Sequence, residues 1–274
     1  MEADDDIPEF VDHSDRLTAV GDQGECNCCY AWTSLGCVEF LSNKDEQPDE
    51  FVQQAKQELV DCLPVKYPPK TTAKPDAVGC FTSSINRGFR YVMNYGVDAE
   101  ENYQYVGGKG TCRTDFENVE ERPYRIMNFK NVNSEDEMAI LRALRITAPG
   151  SCHTTMQPTR ESRRAQLVHG LYYCSFLLST GIYEGPEPGE KAIGDHAIIL
   201  TGYGTDPDTG IKYYKVKNSW GTSWGVDGYG RLRRELIKRI VGFFQAKLIT
   251  CDSSAFVLFL LSKALLSPRW DPLC

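Results

Sequence analysis

Three short segments carry residues whose types and spacing could do chemistry. The first runs Gln23-Gly24-Glu25-Cys26-Asn27-Cys28-Cys29-Tyr30-Ala31-Trp32. A cysteine that opens a helix feels the positive end of the helix dipole, which favours thiolate over thiol. Acyl transfer needs that ionised form near neutral pH. Cys29 is placed for this, because Ala31, Leu35 and Val38 follow it at helical spacing. Gln23 stands upstream across a glycine-containing loop. Its side-chain amide can fold back and donate to an oxyanion beside the backbone N–H of Cys29. The same segment admits other readings. Cys26 and Cys29 make a C-x-x-C, the spacing of a redox dithiol or of half a zinc site. Zinc needs a second ligand pair, and His13, His153, His169 and His196 offer none by spacing, so no metal is expected. A thioredoxin-like dithiol follows a strand, whereas this one follows loop. Structural half-cystines without catalysis remain open on this segment alone.

The second segment is Gly194-Asp195-His196-Ala197-Ile198-Ile199-Leu200, a histidine opening an apolar strand. The third is Val216-Lys217-Asn218-Ser219-Trp220-Gly221-Thr222-Ser223-Trp224-Gly225, in which glycine and tryptophan alternate in a way that core packing rarely demands. Asn218 can accept from the imidazole N–H and so fix its tautomer, while Trp220 shields that hydrogen bond from water. A lone histidine at a strand end is more often structural, so the weight falls on the combination.

The elements that must hold these groups divide the chain. Residues 1–28 read as loop, punctuated by Pro8, Gly21 and Gly24. A helix from Cys29 is expected to end near Ser42-Asn43, and a second, short one fits 53–61. Pro64, Pro68, Pro69 and Pro75 then exclude regular structure across a long loop. A third helix fits 83–95, with Ser83 as N-cap and Gly96 just past its end. Ala197-Ile198-Ile199-Leu200 and Tyr213-Tyr214-Lys215-Val216 read as a hairpin across the Thr205–Gly210 turn. Helices first and strands after favour an α+β fold with two subdomains over an alternating parallel sheet.

Composition narrows the function classes. The 274 residues are 41% hydrophobic and 25% charged, which suits a globular chain. The net charge of −8 argues against a nucleic-acid partner. The basic cluster Arg231, Arg233, Arg234, Lys238 and Arg239 reads as a solvated helix or strand end. No apolar run reaches the length of a membrane span; Phe256–Leu261 falls well short. Eleven cysteines suggest an oxidising compartment with at least two bridges among Cys26, Cys62, Cys80 and Cys112. Met1 nevertheless runs straight into acidic residues with no secretory signal, which reads as a chain missing its beginning.

Together the three segments resemble the papain-like cysteine peptidases, over most of residues 7–122 and 181–234. Ile7-Pro8-Glu9-Phe10-Val11-Asp12 looks like the start of a mature enzyme, Glu58-Leu59-Val60-Asp61-Cys62 like a helix ending in cysteine, and Gly181-Ile182-Tyr183 like the strand before the histidine. The resemblance implies a papain-like two-lobe fold, a helical left lobe and a β-barrel right lobe with the active site in the cleft. The lobes would be 1–122 and 123–235, followed by an atypical tail, 236–274. It implies a cysteine-type endopeptidase acting without cofactor through a thioester acyl-enzyme. Cys29 would be nucleophile, His196 general base and acid, Asn218 the orienting amide, Gln23 the oxyanion donor and Trp220 the shielding aromatic. It implies bridges Cys26–Cys80 and Cys62–Cys112, a monomer acting on peptide or protein substrates, and sensitivity to protein inhibitors of cysteine proteases. Nucleic acid and membrane are not expected as partners. A lysosomal, vacuolar or extracellular site would follow.

Several positions depart from the pattern. Asn27 and Cys28 replace the glycine and the serine or alanine before the nucleophile, and Tyr30 replaces tryptophan after it. A second thiol beside Cys29 invites a mixed disulfide. Cys80-Phe81-Thr82-Ser83 stands where a Cys-Asn-Gly-Gly is usual, and Glu187 where a third bridge would begin. His196 and Asn218 stand farther from Cys29 than the roughly 130–150 residues of the family pattern. The excess falls in 63–79 and in 150–180, a stretch that would hold a barrel strand walling the specificity pocket. The few residues before Ile7 do not read as an inhibitory propeptide, which again fits a chain missing its beginning. The departures open a second expectation, a less stable and catalytically weak or inactive homologue, either a decayed copy or an imperfect gene model.

Overall fold

The computed structural model describes residues 7–132, 136–145, 181–184, 196–235, 246–251 and 255–262. Helix α1 spans Cys29–Ser42 and is buried around most of its circumference, through Ala31, Leu35, Val38 and Leu41 as well as Ser34 and Gly36. Such a helix belongs at the centre of a domain. Helix α2, Lys56–Lys66, and helix α3, Ile85–Tyr95, pack against it and against each other. The disulfides Cys26–Cys80 and Cys62–Cys112 tie the loop before α1 to the loop before α3, and the end of α2 to residue 112.

Two helix boundaries differ from the sequence expectation. The second helix begins later and runs to Lys66, with Pro64 inside it. Proline there forgoes one hydrogen bond, to the Val60 carbonyl. Buried Leu59, Val60, Cys62 and Leu63 hold the turn regardless, and Tyr67 N–H closes it on Leu63 O at 2.7 Å. The cap of α3 is Ser84 rather than Ser83: Ser84 Oγ accepts from Arg87 N–H, while Ser83 Oγ is buried without a partner. Gly96 ends the helix at φ 66°.

Among the described residues, the second half is built on one eight-stranded sheet. Its strands are β1 (Val11–Asp12), β2 (Asn128–Val132), β3 (Ile182–Tyr183), β4 (His196–Thr205), β5 (Lys212–Lys217), β6 (Tyr229–Arg233), β7 (Ala246–Cys251) and β8 (Ala255–Ser262). Their order is β2-β7-β8-β4-β5-β6-β3, with β1 paired to β4. β4 and β5 form the expected antiparallel hairpin. Helix α4, Glu137–Arg145, packs on the sheet. Neither it nor β1, β2, β7 and β8 was legible in the sequence. β7 and β8 insert between β2 and β4, so Ala246–Cys251 and Ala255–Ser262 join this sheet rather than trail from it. The stretch 150–180 lies outside the described residues. In the basic cluster, Arg231 and Arg233 lie on β6, and three arginines pair with acids: Arg231 with Asp206, Arg233 with Glu184 and Glu235, Arg234 with Glu137; Lys238 and Arg239 lie outside the described residues.

β4 separates two cores. Ala197 and Ile199 face the core of α1, α2 and α3, whereas Ile198, Leu200 and Tyr203 face a second core with Ile140, Leu144, Tyr214, Val216 and Leu232. The two-residue side-chain period of a strand does this from Ala197 to Leu200, and the register shift between Leu200 and Gly202 brings Tyr203 to the second core. Where β1 crosses β4 at Gly202, a Cβ would collide with the Val11 carbonyl oxygen and stand 3.0 Å from Asp12 Cα. Gly202→Ala should therefore cost about 1–3 kcal/mol. Urea unfolding of the variant measures it, and an unchanged midpoint would mean that β1 can move away at no cost.

Candidate active site

α1 and β4 bring the first two segments together. At Gly36 the helix lies so close to the sheet that a Cβ would stand 2.7 Å from Ile199 Cδ1. Further along, Phe40 meets His13, whose N–H bonds Thr201 O. Helix and strand thus run the same way. Back from Gly36 to Cys29 is about 10 Å of helix, and back from Ile199 to His196 is about 10 Å of strand. Cys29 and His196 accordingly open their elements at the same end of the contact.

His196 Nε2 lies 2.7 Å from Asn218 Oδ1. Oδ1 is an acceptor, so Nε2 carries the proton and the neutral ring keeps its lone pair on Nδ1. Ser219 N–H donates to the same Oδ1 at 2.8 Å, which fixes the amide. Trp220 stacks on the imidazole at 4.3 Å, and Trp224 meets Trp220 edge-on at 5.9 Å. Burial holds the imidazole pKa down at about 4, against its ordinary 6.5, while the Asn218 hydrogen bond pulls it back up.

Gln23 is held by the third segment. Its N–H donates to Ser219 O at 2.9 Å, and Ser219 Oγ–H donates to its Oε1 at 2.7 Å. Gln23 Nε2 donates to Cys26 O at 2.9 Å, which spends one of its two hydrogens and leaves the other for a ligand. Gly221 N–H adds a bond to Gly21 O. Ser219 was not singled out in the sequence, although it stands between Asn218 and Trp220. Only the fold reveals that it orients both amides.

The alternative readings of the cysteines resolve by pairing. Cys26 is bonded to Cys80, so Cys26 and Cys29 are not a dithiol. Asp76 lies near that disulfide, but its carboxylate accepts from the N–H groups of Asn27, Val78 and Cys80. Cys28 is a buried thiol, and burial pushes its pKa up to about 12. Its sulfur is not bonded to Cys29, and a raised pKa disfavours the thiolate that nucleophilic attack requires.

Below the site, Lys217 Nζ donates to Thr18 O at 2.6 Å, Thr18 Oγ1 donates to Glu39 Oε2 at 2.6 Å, and Glu39 pairs with Lys56. All four side chains are buried, and burial lowers Lys217 to about 8 from 10.5.

The result is an α+β fold that sets a helix-opening cysteine level with a histidine–asparagine pair. The Papain family cysteine protease model matches residues 7–243, and this chain belongs to that family. The match spans 150–180 and runs past Glu235, where recognisable motifs stop. The chain is 30% identical to Cathepsin L of Sarcophaga peregrina over 83% of this chain and 59% of that protein. It is 31% identical to Cysteine proteinase COT44 of Brassica napus over 86% of this chain and 62% of that one. It thus spans about six tenths of the curated relatives it matches. Its fold is similar to digestive procathepsin L2 of Tenebrio molitor larval midgut (TM-score 0.63, 24% identity, 97% of this chain and 70% of that chain). It is also similar to bromelain from Ananas comosus in complex with the E64 inhibitor (TM-score 0.60, 23% identity, 94% and 100%). The fold is papain-like.

Two pH responses follow. In Cys29→Ala, where no thiolate can stabilise the imidazolium, His196 should titrate near pH 4 by NMR, and in the wild type at higher pH. A midpoint near 6.5 in the variant would show the ring to be solvated. Lys217 is lowered in the fold, so the unfolded chain binds more protons between about pH 8 and 10.5. Stability from this residue therefore rises with pH through that window. Urea unfolding should show a gain of about 1–2 kcal/mol between pH 7.5 and 9.5 that Lys217→Met lacks; equal pH profiles would refute the lowered value.

Proposed function

We propose that this chain is a cysteine-type endopeptidase, with the helical lobe, residues 1–122, carrying the nucleophile and the sheet lobe carrying the base. The observation that carries the reading is the His196–Asn218 hydrogen bond beneath Trp220, at the start of β4 level with the start of α1. Asn218 and Trp220 hold the ring with Nδ1 free of that bond, the arrangement a general base needs.

In this reading the Cys29 thiolate and the His196 imidazolium stabilise each other. The thiolate sulfur attacks a peptide carbonyl carbon, and the carbonyl oxygen takes the electron pair. The second hydrogen of Gln23 Nε2 and the Cys29 N–H donate to that oxyanion. His196 gives its proton to the amine nitrogen as the C–N bond breaks, leaving a thioester on Cys29. His196 then takes a proton from water, whose oxygen displaces the sulfur and releases the acid. Peptides and protein substrates are the substrate class, and inhibitors of the E64 kind are expected to modify Cys29.

The ordered amides of Gln23 and Asn218 favour this over a catalytically inactive homologue. Cys29→Ala and His196→Ala should each abolish turnover of a fluorogenic peptide while the fold persists. Asn218→Ala should lose about 10–100-fold, because it orients rather than exchanges protons. E64 should label the wild type once, at Cys29. Turnover surviving in Cys29→Ala but lost in Cys28→Ala would displace the nucleophile by one residue. A soluble, folded wild type that neither turns over peptide nor takes the label would be the inactive homologue instead.

A further inference from the structure

The peptidase reading leaves one group beside the nucleophile without a part. Cys28 precedes Cys29 and is the N-cap of α1, yet its side chain makes no cap hydrogen bond. Its sulfur lies instead 3.1 Å from the Tyr105 phenol oxygen. The same phenol donates to the main-chain carbonyl of Gln23 at 2.8 Å. A phenol has one proton and a carbonyl only accepts, so the Tyr105 proton goes to Gln23 and the Cys28 S–H must donate to Tyr105. The order is fixed: Cys28 S–H to Tyr105 O–H to Gln23 C=O.

Tyr105 is itself held from several sides. Its ring meets Trp32 of α1 edge-on, with centroids 5.1 Å apart, and its N–H donates to Glu100 Oε1 at 2.7 Å. Glu100 Oε2 in turn accepts from the N–H of Lys56, which opens α2. The phenol is therefore a fixed post in the helical lobe. It reaches both ends of the loop that carries the oxyanion donor and the nucleophile. From the other lobe Ser219 holds the Gln23 side chain, but the Gln23 carbonyl is fixed by Tyr105 and by Cys26 N–H at 3.4 Å, the longer of the two bonds.

Resting on the peptidase reading, we propose that Tyr105 is a positioning residue. Through Cys28 and the Gln23 carbonyl, it sets the spacing between the oxyanion donor Gln23 and the Cys29 thiol. The cysteine at position 28 is then the proton donor that completes this brace, not a second nucleophile. Alignment of the oxyanion donors matters only once the carbonyl oxygen has gained charge. The brace should therefore act on the step that forms the tetrahedral intermediate and little on substrate binding.

The test is Tyr105→Phe, which keeps the ring against Trp32 and deletes the hydroxyl. For a peptide amide substrate, kcat should fall about 10-fold with KM within about 2-fold. This is less than the loss of an oxyanion donor itself, since the donor is misplaced rather than removed. Alkylation of Cys29 by iodoacetamide forms no oxyanion and should stay within about 2-fold of wild type. Hydrogen exchange of peptides covering 21–28 should speed up. Cys28→Ala should lower kcat in the same direction, and Cys28→Ser, which restores a donor, should recover most of it. Unchanged kcat and unchanged exchange in Tyr105→Phe would overturn the proposal. So would a parallel fall of kcat, alkylation and thermal midpoint, which would make Tyr105 merely structural. If the wild type turns over no peptide, the peptidase reading fails separately. The brace is then decided by exchange and alkylation alone: faster exchange over 21–28 with unchanged Cys29 alkylation sustains it, and unchanged exchange overturns it.

Discussion

Strand β4 is buried on both faces, and the rest of the structure is arranged around that fact. Ala197 and Ile199 face the helical core while Ile198 and Leu200 face the sheet core, so one strand serves as a wall of both. A strand with two dry faces favours apolar side chains, and this one carries only small or apolar groups from Ala197 to Leu200, before the buried hydroxyls of Thr201 and Tyr203. Its first residue carries an imidazole. His196 stands where the wall ends and the two cores part, which is where a polar side chain can be held by desolvated partners and still be reached. Gly36 and Gly202 belong to the same constraint, since α1 and β1 each approach β4 more closely than a side chain would allow.

The seam between the halves is polar, and its hydrogen bonds bring the functional groups into register. The turn at Gly21–Gln23 pairs with the turn at Asn218–Gly221 through main-chain bonds, which places the Gln23 and Asn218 amides on either side of Ser219. Beneath them Lys217, Thr18, Glu39 and Lys56 form a buried chain of donors and acceptors. Buried charges of this kind add little net stability compared with apolar packing. Their contribution is geometric, because each partner is satisfied in one arrangement and left bare in others. Lys217 is the residue before Asn218, so whatever fixes its ammonium also fixes the end of β5 from which the orienting amide projects.

Much of this was legible in the chain. The helix from Cys29, the β4–β5 hairpin and the three segments carry strong local signals, because apolar period, turn residues and glycine–tryptophan alternation act within a few residues of one another. What the local pattern misplaced has a non-local cause. Pro64 lies inside α2 because tertiary burial and the bridge at Cys62 outweigh one lost hydrogen bond. Ser84 rather than Ser83 caps α3, although two adjacent serines look alike until the backbone is set. β7 and β8 carry no motif, and their place between β2 and β4 is a matter of long-range pairing.

The sequence by itself determined which atoms are on hand: a thiol at the start of a helix, an imidazole at the start of a strand, and an amide followed by an indole. Helix and strand starts are local, so the residues that occupy them can be read directly. Only the tertiary structure decided which of the neighbouring thiols matters. Cys26 is spent in a disulfide, Cys28 is buried and hydrogen-bonded to Tyr105, and Cys29 opens α1 level with the imidazole. It also decided that burial pulls the His196 pKa down and that Ser219 orients two amides at once. Desolvation and hydrogen-bond partnership depend on what lies across the seam, and residues on opposite sides of it are nearly two hundred positions apart in the chain, as Gln23 and Ser219 are (|i−j| = 196).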